Sequence, residues 1–251
     1  MPMPAIPSAE LVEIFSSLQG EGDLVGFRQV FLRFCGCNLS CHYCDTNFLQ
    51  NSICRVEVDP GSGDIVEYPN PVAIEQVTSL LNNWQQQFPG AHHSITLTGG
   101  EPLLHIELLR QWLPHLRNIL PVSLETNGTL PQALSRVIDQ FDRVAMDIKL
   151  ASQTGEPTDW DAHAAFLKMA SRVDCSVKLV VGESVSDEEV VRAAELVAGV
   201  GQHIPVILQP VTRGARVGIS NRRLLHVQAL MAAIHPHVRV IPQTHVFMGV
   251  M

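Results

Sequence analysis

Apolar, β-branched runs alternate with amphipathic stretches along nearly the whole of this 251-residue chain. The runs predict strands over 29–34, 94–98, 121–125, 143–149, 176–181, 205–209 and 238–241. The stretches between them predict helices over 74–87, 106–118, 132–140, 163–171, 187–199 and 221–234. Strands that are apolar along most of their length, alternating with helices, belong to a parallel sheet covered by helices. About six such units give an α/β fold, a partial TIM barrel of (β/α)6 type, modified and compact; closing eight units usually takes a longer chain. Helix starts agree with the pattern. Pro131 suits a first helical position, and Ser186 followed by Asp187, Glu188 and Glu189 supplies a cap and an acidic first turn. No repeat, low-complexity tract or linker interrupts 1–251, so one domain is expected. Residues 55–71, rich in Gly, Pro and Asp, read as a hairpin or loop insertion.

Hydrophobic residues make up 46% of the chain, ample for one large core. A net charge of −8 disfavours binding along a nucleic-acid backbone. No stretch has the length of a membrane span. The N-terminal Met-Pro-Met-Pro lacks the basic and apolar regions of a secretory signal, so a cytoplasmic location is the expectation.

In folds of this kind the ligand site gathers at the C-terminal ends of the strands. The first strand of the alternation runs into Cys37-Asn-Leu-Ser-Cys41-His-Tyr-Cys44, a CxxxCxxC spacing. Three thiolates from one short loop can hold three corners of a [4Fe–4S] cluster. A protein cluster usually takes four cysteines, so a three-cysteine loop leaves one iron open to a reactant. A zinc site is the competing reading, with Cys35, His42 or Cys54 as fourth ligand. Six cysteines in a chain this long are too few for a disulfide framework. Cys35, Cys54 and Cys175 read as structural, because buried free cysteine is common.

The other strand ends carry polar residues in order. Residues 94–98 run into Gly99-Gly100-Glu101-Pro102, where paired glycines let backbone approach a ligand closely, unless they only make a tight turn. Glu125 ends an apolar strand, where a carboxylate needs a bonding partner, ahead of the Asn127-Gly128 turn signal. Asp147 and Lys149 suit ligand contact or pairing with each other. Lys178 is costly to bury alone, so a salt bridge and a ligand role are both open. Gln209 suits a hydrogen bond to a base or ribose. Upstream of the cysteines, 13–22 starts apolar and ends in a Gly-rich turn, so it reads as an edge strand plus loop or as a substrate-binding segment, in which Gln19 and Glu21 suit the amide-like edge of a pterin or purine. Arg33 suits a substrate carboxylate through a bidentate pair, or faces outward into solvent.

With CxxxCxxC and GGEP in this order, the chain resembles the radical S-adenosylmethionine (SAM) superfamily. With SLQGEG, the Arg of FLRFCGCNLSCHYC, CDT, ETNG, KLVV, QP and QTH it resembles, from Glu13 to the C-terminus, the family of 7-carboxy-7-deazaguanine synthases. That resemblance implies a lyase of the queuosine and 7-deazapurine pathway. It would convert 6-carboxy-5,6,7,8-tetrahydropterin to 7-carboxy-7-deazaguanine with loss of ammonia. A 5′-deoxyadenosyl radical would take hydrogen from C6 and return it after ring contraction.

The same resemblance implies site residues. Cys37, Cys41 and Cys44 would hold the [4Fe–4S] cluster, and Thr46 would hold Mg²⁺. Leu18, Gln19, Gly20, Glu21, Arg33, Thr98, His245 and the carboxylate of Met251 would contact substrate. Gly99, Gly100, Glu101, Glu125, Asp147, Lys149 and Gln209 would contact SAM. A flavodoxin or ferredoxin donor and a homodimer are further implications. Two places depart from the family: some members have Ser-Pro-Lys where this chain has Asp147-Ile148-Lys149, and the tail differs after His245. Other readings are a glycyl-radical activase, another SAM lyase acting on a related deazapurine, or a non-enzymatic metal-binding protein.

Overall fold

The computed structural model describes residues 7–44, 47–214 and 216–250. A ten-stranded sheet is built from β1 (Leu11–Leu18), β2 (Arg28–Phe34), β3 (Ile53–Glu57), β4 (Ile65–Pro69), β5 (Ser94–Gly99), β6 (Val122–Thr126), β7 (Arg143–Asp147), β8 (Asp174–Val181), β9 (Val206–Pro210) and β10 (Val238–Val240). Its helices are α1 (Ile74–Gln87), α2 (Ile106–Arg117), α3 (Pro131–Leu134), α4 (Ala151–Thr154), α5 (Trp160–Ala170), α6 (Asp187–Val200), α7 (Asn221–Ala232) and α8 (Thr244–Met248).

The strand order is β10-β9-β8-β7-β6-β5-β2-β1-β3-β4. From β2 through β5 to β10 every pairing is parallel, as the strand–helix alternation requires. β1 runs antiparallel to β2, and the β3–β4 hairpin extends the sheet beyond β1. The sheet therefore keeps two edges, and the fold is an open, partial barrel. No helix among the described residues is long and apolar enough to cross a membrane.

Side-chain alternation divides the strands into two faces. Val30, Leu32 and Phe34 of β2, Ile95 and Leu97 of β5, and Val177, Leu179 and Val181 of β8 are buried in the core cluster with the helices. Trp84 and Trp112 are fully buried there, each worth a few kcal/mol. Their indole N–H groups donate to the carbonyls of Val58 (3.1 Å) and Pro7 (3.2 Å). The alternate residues, among them Gln29, Arg33, Thr96, Thr98, Glu125, Asp147, Lys178 and Gln209, line a bore on the inner face.

Three elements differ from the sequence expectation. The helix expected over 132–140 stops after one turn and resumes as a 3₁₀ turn, Ile138–Gln140. There the Ser135 hydroxyl donates back to the Gln132 carbonyl (2.7 Å), and Val137 N–H bonds only three residues back, to Leu134. The strand expected over 143–149 ends at Asp147. The segment before the cysteines is not an edge strand: β1 lies inside the sheet, between β2 and β3. Pro131 does start α3, and the Ser186 hydroxyl does cap α6, accepting from Glu189 N–H at 3.3 Å.

Candidate active site

The bore forms a cavity of about 570 Å³, within the size range of small-molecule sites. At the C-terminal ends of the strands it is walled by the loop that follows β2, with Cys37, Cys41 and Cys44. At the N-terminal ends it is walled by the loop between β1 and β2, with Gln19, Gly20 and Glu21. The turn Gly22–Leu24 in that lower loop packs on β8 and β9.

The paired glycines after β5 serve the protein's own backbone. A Cβ on Gly99 would fall 2.3 Å from the Phe34 carbonyl oxygen, and one on Gly100 only 1.9 Å from that of Gly36. Their closeness lets Gly100 N–H bond the Phe34 carbonyl (3.2 Å) and Glu101 N–H the Gly36 carbonyl (2.8 Å). The root of the cysteine loop is thereby sutured to β5. Both glycines also border the cavity, so the expected approach to a ligand and this backbone contact share one site.

Glu101 was expected at the cavity, and it is not there. Its side chain is fully buried behind the loop. It accepts from Leu103 N–H (3.0 Å), Thr126 Oγ1 (2.9 Å) and Asn127 N–H (2.8 Å). Burial pushes its carboxyl up to about 7, against those hydrogen bonds. The motif fixed where the residue stands in the chain but not which way it points: Glu101 caps the turn Pro102–His105 and ties it to the end of β6.

Cys37, Cys41 and Cys44 are in no disulfide, nor are the buried Cys35, Cys54 and Cys175. Burial pushes the thiols of Cys37 and Cys41 up. Among the described residues no group of three His, Cys, Asp or Glu side chains is gathered at metal-ligating separation, the three cysteines included. Protonated thiols have no mutual attraction; iron would supply it while displacing the protons. The donor set fits a thiolate-bound cluster. Cys37 Sγ already accepts from Leu39 N–H at 3.5 Å, and the loop is pinned by Ser40 N–H to Glu156 (2.8 Å) and His42 N–H to the Thr154 carbonyl (3.1 Å).

Four charged side chains cross the bore. Lys149 bonds Asp147 (2.7 Å) and the Tyr43 hydroxyl (3.3 Å). Lys178 pairs with Glu21 and lies 3.5 Å from Asp147. Burial alone would discharge both lysines, but Asp147 above all, with Glu21 for Lys178, carries them above the ordinary lysine range. Burial would likewise raise Glu21; Lys178, helped by Gln243 (2.7 Å), overrides it and brings the carboxyl down to about 2. Burial dominates at Tyr43, pushed up to about 12. Asp147 and Lys149 thus do pair with each other, as one of the two sequence readings had it, while also facing the cavity.

Below them, Gln19 donates to Glu125 (2.7 Å) and Gln29 (2.9 Å), and Thr98 donates to the other oxygen of Glu125 (2.7 Å). Arg33 faces the cavity; its Nε donates to Glu13 (2.8 Å), and its terminal nitrogens make no bond to the described residues. His245 packs on Gly20, where a Cβ would fall 2.1 Å from its ring, while Thr244 N–H donates to the Gly20 carbonyl (2.8 Å). Three buried oxygens that border the cavity lack a partner among the described residues: Thr96 Oγ1, Gln209 Oε1 and Thr212 Oγ1. Buried acceptors are rarely left unbonded, so these three fit a polar ligand. Thr46 and Met251 lie outside the described residues. Sequence reasoning passed over Tyr43, Asn127 and Arg143, all on the cavity wall; an arginine opening a predicted strand was the one available signal.

The family model of the radical SAM superfamily matches residues 32–197. A 7-carboxy-7-deazaguanine synthase of Geobacter sulfurreducens is 51% identical, over 97% of this chain and 98% of its own. One from Methanothermobacter thermautotrophicus is 32% identical over 96% and 97%. Among solved structures, QueE from Escherichia coli superposes with a TM-score of 0.58 at 18% identity, covering 95% of each chain. Streptococcus suis SuiB superposes at 0.55 and 11% identity, covering 85% of this chain and 48% of its own. At such identities the structures speak for the fold alone.

Proposed function

This chain belongs to the radical SAM superfamily and, within it, to the family of 7-carboxy-7-deazaguanine synthases, and on that premise we propose that it is a lyase converting 6-carboxy-5,6,7,8-tetrahydropterin to 7-carboxy-7-deazaguanine with loss of ammonia. One observation carries the reading at the level of this chain. The cysteine loop and the 18–21 segment, separated by strand β2, open into one cavity.

Membership implies a [4Fe–4S] cluster and SAM. When bound, they would supply a 5′-deoxyadenosyl radical that takes the hydrogen from the substrate's C6 and returns it after rearrangement. On this reading Cys37, Cys41 and Cys44 ligate iron. Gly99, Gly100, Asp147 and Lys149 border SAM, and Gln209 offers it an otherwise unbonded acceptor. Glu125 lies lower, held by Gln19 and Thr98. Its carboxylate, fixed by those two donors, offers acceptor lone pairs to the N–H groups of the pterin's aminopyrimidinone. Leu18, Gly20 and Glu21 wall that place, and His245 closes it by seating on Gly20. Arg33, oriented through Nε by Glu13, presents its terminal nitrogens to the substrate carboxylate. Mg²⁺ at Thr46 is proposed from the family resemblance, as are Met251's contact, the flavodoxin or ferredoxin donor and the homodimer.

The partly buried charges of Glu21, Asp147, Lys149 and Lys178 balance one another. Fixed, paired charges of this kind orient substrates without reorganising. The chain should be reconstituted with iron and sulfide under anaerobic conditions, reduced, and incubated with SAM and the carboxypterin. Carboxydeazaguanine is expected by mass spectrometry. SAM cleavage without that product would overturn the proposed substrate.

A further inference from the structure

The turn after β6, Glu125-Thr-Asn127-Gly128, meets the cysteine loop through the side chain of Asn127, which is 5% exposed. Asn127 Oδ1 accepts from Thr129 N–H (3.1 Å) and from the Thr129 hydroxyl (2.6 Å). Asn127 Nδ2 donates to Asn38 Oδ1 (2.8 Å), and Asn38 Nδ2 donates to Thr129 Oγ1 (2.9 Å). The three side chains thus close a ring in which every donor meets an acceptor. The orientation of the Asn127 amide is not arbitrary. A backbone N–H can only donate, so the oxygen must face Thr129 and the NH₂ must face the loop. One of its hydrogens is taken by Asn38. The other lies toward Cys37 Sγ, at a nitrogen–sulfur distance of 3.9 Å.

The backbone beneath is fixed as well. Asn127 N–H and the Thr126 hydroxyl both bond the buried Glu101 carboxylate. The amide is therefore held from two sides before any ligand arrives. It costs nothing to reorganise when the sulfur it faces becomes charged.

We propose that Asn127 is a positioning residue for the iron–sulfur centre, donating an N–H to the Cys37 sulfur and so raising the potential at which the cluster accepts its electron. Reduction adds negative charge that spreads onto the sulfurs, and a fixed donor dipole aimed at one of them stabilises the reduced form more than the oxidised. Hydrogen bonds to cluster sulfurs are among the protein's main levers on reduction potential. Asn38 serves differently: it ties the loop to the turn and fills one N–H, without itself bonding sulfur. The inference rests on the reading of Cys37 as a cluster ligand.

The test is a redox titration of the reconstituted protein followed by electron paramagnetic resonance, without SAM. Wild type is compared with Asn127→Leu, near-isosteric and uncharged but lacking the donor, and with Asn38→Ala, which keeps Asn127. In Asn127→Leu the ratio of reduced to oxidised cluster at a fixed ambient potential should fall about tenfold, or about 59 mV for one electron. Asn38→Ala should stay within about threefold of wild type. If Asn127→Leu takes up less iron than wild type, Asn127→Ser, whose hydroxyl is too short to reach the sulfur, gives the decision by the same titration. Equal potentials in wild type and the loaded Asn127 variant overturn the assignment, as does Asn38→Ala moving as far. A wild-type chain that takes up no cluster overturns the reading of the cysteines and this role with it. A loaded wild type with an unmoved Asn127 variant overturns this role alone.

Discussion

Replacing Lys178 with Met should destabilise the protein by about 3 kcal/mol at neutral pH. Glu21 is the reason. Its carboxyl is held at about 2 rather than the ordinary 4.5, and Lys178 supplies the largest favourable part of that shift. At about 1.36 kcal/mol for each tenfold in proton affinity, the ionised form is favoured in the folded state by roughly 3 kcal/mol. Among the described residues, Lys178→Met leaves the partly buried Glu21 carboxylate with Gln243 as its side-chain hydrogen-bond partner, whereas Asp147 keeps Lys149 at 2.7 Å. Breaking a buried pair by removing one partner typically costs about 3–5 kcal/mol. Urea unfolding gives the number. The sign of its pH dependence follows from the lowered carboxyl. The contribution of Glu21 is complete above about 4.5 and is lost as pH falls toward 2, so the gap between wild type and Lys178→Met should be full at pH 7 and shrink on acidification below 4.5. The double variant Glu21→Gln/Lys178→Met should cost about 2 kcal/mol less than the two singles together. A cost below about 1 kcal/mol for Lys178→Met, with additive singles, would show a pair no stronger than a surface salt bridge and refute the reasoning.

Gly100→Ala should prevent cluster assembly, because its methyl would meet the Gly36 carbonyl oxygen at 1.9 Å; normal iron content after reconstitution would disprove the suture. Arg33→Lys should raise KM for the carboxypterin at least about tenfold while leaving SAM binding unchanged, since a lysine cannot form the bidentate pair; an unchanged KM would place the carboxylate elsewhere. Gly20→Ala should weaken substrate binding by unseating His245, whose ring would lie 2.1 Å from the added methyl; unchanged binding would show that the tail plays no part in closure.

The sheet and its helices were legible because the helix-facing residues, such as Val30, Leu32, Ile95, Leu97, Val177 and Leu179, are all large and apolar. The inner face was harder to read. Gln29, Ser94, Ser123 and Ser176 interrupt those same runs at every second place, and their polarity makes sense only once a bore is known to lie there. The cysteine loop was legible from spacing. The direction of Glu101 was not, because a strand-end motif does not say whether a side chain turns to the cavity or behind the loop. Nor could spacing foresee the partner of Lys178: Glu21 stands 157 residues earlier, and only the lower loop brings them together. The early end of α3 was hidden because Ser135 and Val137 are tolerable in a helix until local hydrogen bonds decide otherwise.

The central claim is that SAM and the carboxypterin meet in the one cavity between the cysteine loop and the 18–21 segment, C6 against the adenosyl C5′. Substrate deuterated at C6 tests it most directly. Deuterium should appear in SAM recovered after turnover, alongside carboxydeazaguanine. Product formed with no deuterium in SAM or 5′-deoxyadenosine would contradict that arrangement.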